Sequence, residues 1–226
     1  MFRAYQAFSV IAAASAVWAG DISGHAIITK RLTKKQISPI VYNLRGTAPA
    51  APASDSVETT NEFESLALVL EGGSMPGKPP VAATLDQRNT RFDADVLIVP
   101  VGSTVEFPNS DPIFHNVFSL SKAQPFDLGF YPRGQSRSVK FNRAGIVQVY
   151  CHIHANMYAA IVVTASPWFG KPEADGSFSF KGVPAGHYRL TAWHKIAGMH
   201  ALEVTVPEEG RVEVNIRVPV DVERRP

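Results

Sequence analysis

The sequence predicts an all-β chain built as two β-sandwich units, and three observations predict it. Sixteen glycines and seventeen prolines are scattered rather than repeated, as turns between many short strands require. Apolar or alternating runs recur between turn signals at the spacing of a sandwich or barrel. No long helical period appears anywhere in the 226 residues.

The elements follow in order. Residues 21–30 alternate loosely and read as a strand. Residues 37–44 are a second candidate, moved towards a sheet edge by Pro39. Residues 47–60 are Ala, Pro, Ser and acid, with almost nothing to bury, and read as a loop. Residues 66–70 form a compact apolar strand closed by Gly72-Gly73, and residues 74–80 a turn-rich connector. Strands are then expected over 92–99, 103–107, 115–120, 136–141, 145–150 and 159–164, punctuated by Gly102, Asn109-Ser110-Asp111, Gly134 and Ala144-Gly145. The last stretch has its own meander: a turn at Asp175-Gly176, strands over 177–181 and 187–194 about Pro184-Ala185-Gly186, then strands over 201–206 and 211–218. A charged tail closes the chain at 223–226.

Charge excludes one class of function. The formal net charge is +2, with no clustered Lys/Arg face and no motif for reading bases or phosphates, so nucleic acid is not an expected partner. The short basic run at Lys30-Arg31 and Lys34-Lys35 reads as a solvated loop. Residues 1–19 read as a secretory signal peptide: Arg3 in the n-region, an apolar stretch from Ala7 to Ala16, and Val17-Trp18-Ala19 at the cleavage positions. The expected address is periplasmic, with no membrane span after cleavage. A single cysteine, Cys151, allows no internal disulfide. In an oxidising compartment it is either buried and inert or protected as a ligand or reactive group.

Its neighbours favour the ligand. In Tyr150-Cys151-His152-Ile153-His154-Ala155-Asn156-Met157 a thiol is followed three residues on by an imidazole and three beyond by a thioether. One thiolate, two imidazoles and a weak axial thioether are the donor set of an electron-transfer copper. The second imidazole has to come from elsewhere. His115 is the natural choice, opening a strand after the turn at Asn109-Ser110-Asp111-Pro112.

The Cys-x-x-His-x-x-Met loop resembles the short loop of amicyanin and pseudoazurin, among the plastocyanin-like cupredoxins. Val105-Glu106-Phe107-Pro108-Asn109 with His115-Asn116-Val117, and Phe141 through Gly145 to Tyr150-Cys151, resemble further segments of that family. More closely, the chain resembles bacterial proteins described as methylamine-utilization proteins. In these a cupredoxin accompanies a carboxypeptidase-regulatory-like (transthyretin-like) module. Asp175-Gly176-x-Phe178, Val183-Pro184-x-Gly186-x-Tyr188-x-Leu190 and Trp193-His194 carry that second resemblance. It implies a cupredoxin Greek-key β-sandwich over 81–164 and a smaller transthyretin-like β-sandwich built discontinuously from 20–80 and 165–226. It also implies one type 1 copper per chain held by His115, Cys151, His154 and Met157. Asn116 resembles the residue whose side chain ties the two ligand loops together.

Little strand-forming sequence separates the end of the first unit at Thr164 from Asp175-Gly176. Residues 22–29 or 66–70 are therefore expected to pair with strands beyond Asp175, the alternative being three units in a row with the early strands extending the cupredoxin sheet. His152 departs from the family loop. It is expected to point away from the metal, because neighbours alternate along a strand. His25, His187, His194 and His200 are expected in structural or solvent roles, Met75 and Met199 in packing, and Trp168-Phe169 buried at the junction of the units. The expected function is a single-electron carrier between periplasmic redox partner proteins, not an enzyme. The alternatives are a copper sequestration or delivery protein and a small redox enzyme with an open copper site.

Overall fold

The structure, a computed structural model, describes residues 19–29, 62–208 and 210–219. Almost the whole expected signal peptide, the basic run, the candidate strand at 37–44, the loop at 47–60 and the tail at 223–226 lie outside the described residues. Among the described residues the chain is all β apart from one short 3-10 turn, Glu62–Ser65. No helix among them is long and apolar enough to cross a membrane.

Among the described residues there are seventeen strands. The first two are β1 (Ala19–Ile28) and β2 (Leu66–Gly72). The next ten are β3 (Ala82–Thr84), β4 (Gln87–Arg88), β5 (Arg91–Phe92), β6 (Val96–Pro100), β7 (Thr104–Pro108), β8 (His115–Ser119), β9 (Phe126–Tyr131), β10 (Ser136–Lys140), β11 (Gly145–Tyr150) and β12 (Tyr158–Thr164). The last five are β13 (Phe169–Gly170), β14 (Ser177–Pro184), β15 (Gly186–His194), β16 (Gly198–Val206) and β17 (Arg211–Val218).

Strands β3 to β12 build one sandwich. A five-stranded sheet in the order β6-β12-β11-β8-β9 faces a three-stranded sheet in the order β10-β7-β3, and β4 and β5 form a small hairpin beside them. Between the sheets lies a core that includes Val105, Phe107, Val117, Phe141, Val147 and Val149. Period-two alternation along β11 sends Val147 and Val149 inward, and the same step carries Cys151 to the edge of that core.

The second sandwich is assembled from both ends of the described chain. Its sheets run β14-β1-β17 and β13-β2-β15-β16. β1 lies antiparallel to β14 and parallel to β17, while β2 lies antiparallel to β15. Both early strands thus pair with strands beyond Asp175. The β1–β17 approach needs a glycine. A Cβ built on Gly24 would stand 1.6 Å from the Val214 carbonyl oxygen. Gly24→Ala should therefore lower stability by about 3 kcal/mol or more, through overpacking against backbone that cannot give. Urea denaturation measures this, and an unchanged midpoint would contradict the close approach.

Two strands are buried on both faces, and they join the sandwiches. In β2, Leu66, Leu68 and Leu70 enter the second core, while Ala67 and Val69 meet Val96, Ala160, Val162 and Trp193. In β12, Ala159, Ile161 and Val163 enter the first core, while Ala160 and Val162 face the joint. Double burial explains why both strands read as continuous apolar runs. Phe169 packs against this joint, as expected, but Trp168 does not. Its ring lies in the second core and its indole N–H donates to the Lys181 carbonyl at 3.1 Å. At one end of the joint Lys195 pairs with Asp95 and donates to the Tyr158 carbonyl, and the Tyr158 hydroxyl donates to the Lys195 carbonyl at 2.7 Å.

Candidate metal centre

Three donors converge at one end of the first sandwich. His115 opens β8, Cys151 follows β11 directly, and His154 stands in the turn that leads to β12. The two Nδ1 atoms lie 3.1 Å apart, and the Cys151 Sγ lies 3.6 Å from His154 Nδ1 and 3.9 Å from His115 Nδ1. His115 and Cys151 are buried, and His154 is partly exposed. Among the described residues this is the one group of three His, Cys, Asp or Glu side chains whose ligand atoms lie within 4.8 Å of one another.

The loop is closed by its own backbone. The Cys151 N–H donates to the Met157 carbonyl at 3.2 Å, and the Met157 N–H donates to the His154 carbonyl at 2.9 Å. These bonds close the segment from Cys151 to Met157 into a compact loop. The Met157 side chain is buried in the same core as Cys151.

Asn116 does not make the expected direct tie. Its Nδ2–H donates to Asp127 Oδ1 at 2.7 Å, and the other Asp127 oxygen lies 3.4 Å from His152 Nε2. His115 and Val117 take the inner face of β8, which leaves Asn116 on the opposite face. A relay through Asp127 replaces the direct tie. The N–H of Gly129, then the Asn116 amide, hold the Asp127 carboxyl below the ordinary value, with His152 adding to them. His152 points outward as expected, with its ring stacked on Phe118 at a centroid separation of 3.9 Å.

Asp111 was not singled out in the sequence. Its Oδ2 lies 2.7 Å from His115 Nε2, the ring nitrogen facing away from the thiol. It also accepts the backbone N–H groups of Asn89 and Thr90, at 2.6 and 2.8 Å. Burial pushes its carboxyl up, but the Thr90 amide, the His115 ring and the Asn89 amide together hold it below the ordinary value.

The rim of the site is apolar. Ile113 and Phe114, just before His115, and Ile153, just before His154, are exposed, as is Phe130 near His152. Of the other histidines, His194 is fully buried, with Nδ1 accepting the N–H groups of Ile196 and Ala197. Burial holds its pKa down against Glu62 and Asp95. Met75 and Met199 do not pack as expected. Both are exposed and line, with Trp193, a cleft of about 480 Å³ between the sandwiches.

No family model and no curated protein matches the chain. Among solved structures it is similar to a mutant of amicyanin in its reduced Cu(I) form at pH 4, at 26% identity, over 37% of this chain and 82% of that one, with a TM-score of 0.35. It is also similar to the Cu-containing nitrite reductase NirK from Thermus scotoductus, at 27% identity and a TM-score of 0.35. That match covers 42% of this chain and 24% of the reductase.

Proposed function

We propose that the chain holds one copper ion in a type 1 site and passes single electrons between redox partner proteins in the periplasm. The observation that supports this most is the convergence of one thiol and two imidazole Nδ1 atoms at a buried point. That donor set fits copper in both oxidation states, since sulfur suits Cu(I) and imidazole also suits Cu(II). Cys151, His115 and His154 would hold the ion, with Met157 as the weak axial donor. Copper would supply the one-electron couple.

What the chain's own residues do follows from their placement. Two strand ends and a loop closed by its own hydrogen bonds fix the three donors, so little rearrangement accompanies a change of charge. The core behind Cys151 excludes water. His154 lies at the rim, where Ile113, Phe114 and Ile153 offer an apolar collar on which a redox partner could dock. The signal-peptide reading of residues 1–19, with Arg3 before an apolar stretch, supports the periplasmic address. The pairing of β1 and β2 with strands beyond Asp175 supports a copper unit over 81–164 inserted into a transthyretin-like unit of 20–80 and 165–226.

Repeated redox cycling tests the carrier reading. The loaded protein should be reduced and reoxidised many times with its copper retained. Release of copper on reduction would identify a delivery protein, and turnover of a substrate an enzyme.

Met157→Leu tests the axial assignment. It removes a thioether at nearly constant volume, so copper should stay bound. Cu(II) loses a donor, and the reduction potential should rise. Voltammetry at an unchanged potential would remove Met157 from the donor set.

A further inference from the structure

We propose that Asp111 is a positioning residue for His115, set in place by the β4–β5 hairpin, and that its carboxylate lowers the reduction potential of the site. The inference rests on the copper reading above. It starts from a backbone outlier. Asn89 and Thr90 form the two-residue turn between β4 and β5, and both have positive φ, 55° and 54°. That is the geometry of a tight hairpin turn, for which glycine or asparagine is the usual choice. A β-branched threonine in that region is a genuine outlier. Such strain persists only where surroundings over-determine it, and it gathers at functional sites.

What holds it here is Asp111. One carboxylate oxygen accepts the Asn89 N–H and the other the Thr90 N–H. Both partners are themselves anchored. The hairpin is fixed by Gln87, fully buried, whose Nε2–H donates to the Tyr131 hydroxyl at 2.6 Å and to the Pro108 carbonyl at 3.1 Å. Asp111 is fixed by its own N–H, which donates to Asn109 Oδ1 at 3.0 Å. The Ser110 N–H donates to the Gln87 carbonyl at 3.0 Å, tying the two segments together.

The oxygen that accepts from Thr90 also lies 2.7 Å from His115 Nε2. A carboxylate is an acceptor only, so the ring must carry its proton on Nε2. That choice leaves the Nδ1 lone pair facing Cys151 and His154. A hydrogen-bonded carboxylate behind an imidazole fixes its tautomer and orientation and raises its basicity as a ligand. It also places a buried negative charge near the centre, which favours the more highly charged copper ion.

The test uses the full chain and Asp111→Asn, which keeps the shape and removes the charge. In metal-free wild-type protein at mildly alkaline pH, ¹⁵N resonances of the His115 ring should show the proton on Nε2. In Asp111→Asn that preference should weaken. In the copper-loaded variant, preference should shift towards Cu(I) by about tenfold, near the lower end of what such partners contribute. For a one-electron couple that is a rise of about 59 mV. A wild-type ring protonated on Nδ1, or a variant with unchanged potential, overturns the proposal. The ring measurement needs neither copper nor a folded variant. It therefore decides about Asp111 even if Asp111→Asn does not fold, or if the wild-type protein proves not to form a thiolate–copper site.

Discussion

Cys151→Ser should abolish the visible charge-transfer band and weaken copper binding by more than about 100-fold, since even residues that only support a ligand contribute ten- to hundredfold. The thiol is the only sulfur donor in the cluster of three, and a hydroxyl at neutral pH is not a comparable anion. The fold should survive. Cys151 lies at the edge of the first core, just past β11, and its N–H bond to the Met157 carbonyl belongs to the backbone. The cost is a small polar group in a buried place, about 1–3 kcal/mol. Absorption titration with Cu(II), beside far-UV circular dichroism, measures both effects. A variant that keeps the band would place the thiolate outside the copper site.

His154→Ala and His152→Ala should have opposite outcomes although the two residues are separated only by Ile153. The His154 Nδ1 lies 3.1 Å from the His115 Nδ1 and 3.6 Å from the thiol. Without it one imidazole remains and the rim opens to water, so the colour should be lost or the spectrum rearranged. His152 stacks on Phe118 and faces Asp127, outside the cluster. Its loss costs a ring contact worth about 0.5–1.5 kcal/mol and should leave copper and colour in place. Paired absorption and EPR spectra separate the two. The reverse pattern would mean that the loop binds in the other register.

How far these features could be read from the sequence depends on how local their causes are. The placement of Cys151 is local: Val147, Val149 and Cys151 share one face by strand alternation, and His115 with Val117 shares the matching face of β8. The doubly buried strands β2 and β12 announce themselves as unbroken apolar runs. β9 does not, because Asp127 and Gly129, the latter with φ of 65°, break both pattern and propensity in Phe126–Tyr131. The β4–β5 hairpin hides for a similar reason. Its turn is Asn-Thr rather than Asn-Gly, and the expected single strand over 92–99 is split into β5 and β6 around Asp93 and Asp95.

Asp111 was invisible for a different reason. An acid between Asn109-Ser110 and Pro112 reads as an ordinary turn residue. Its role comes from amides more than twenty positions upstream, brought to it by the buried anchor of Gln87. The exposure of Met75 and Met199 is likewise a product of how two sandwiches meet.

The most direct test of the copper reading is a titration of the protein with Cu(II), followed together by absorption and EPR. The donor set predicts saturation at one equivalent per chain. It also predicts an intense visible thiolate-to-copper band and an EPR signal with the small copper hyperfine splitting of a strongly covalent Cu–S bond. Binding with no such band, or with the wide splitting of a site built only from nitrogen and oxygen, would contradict it.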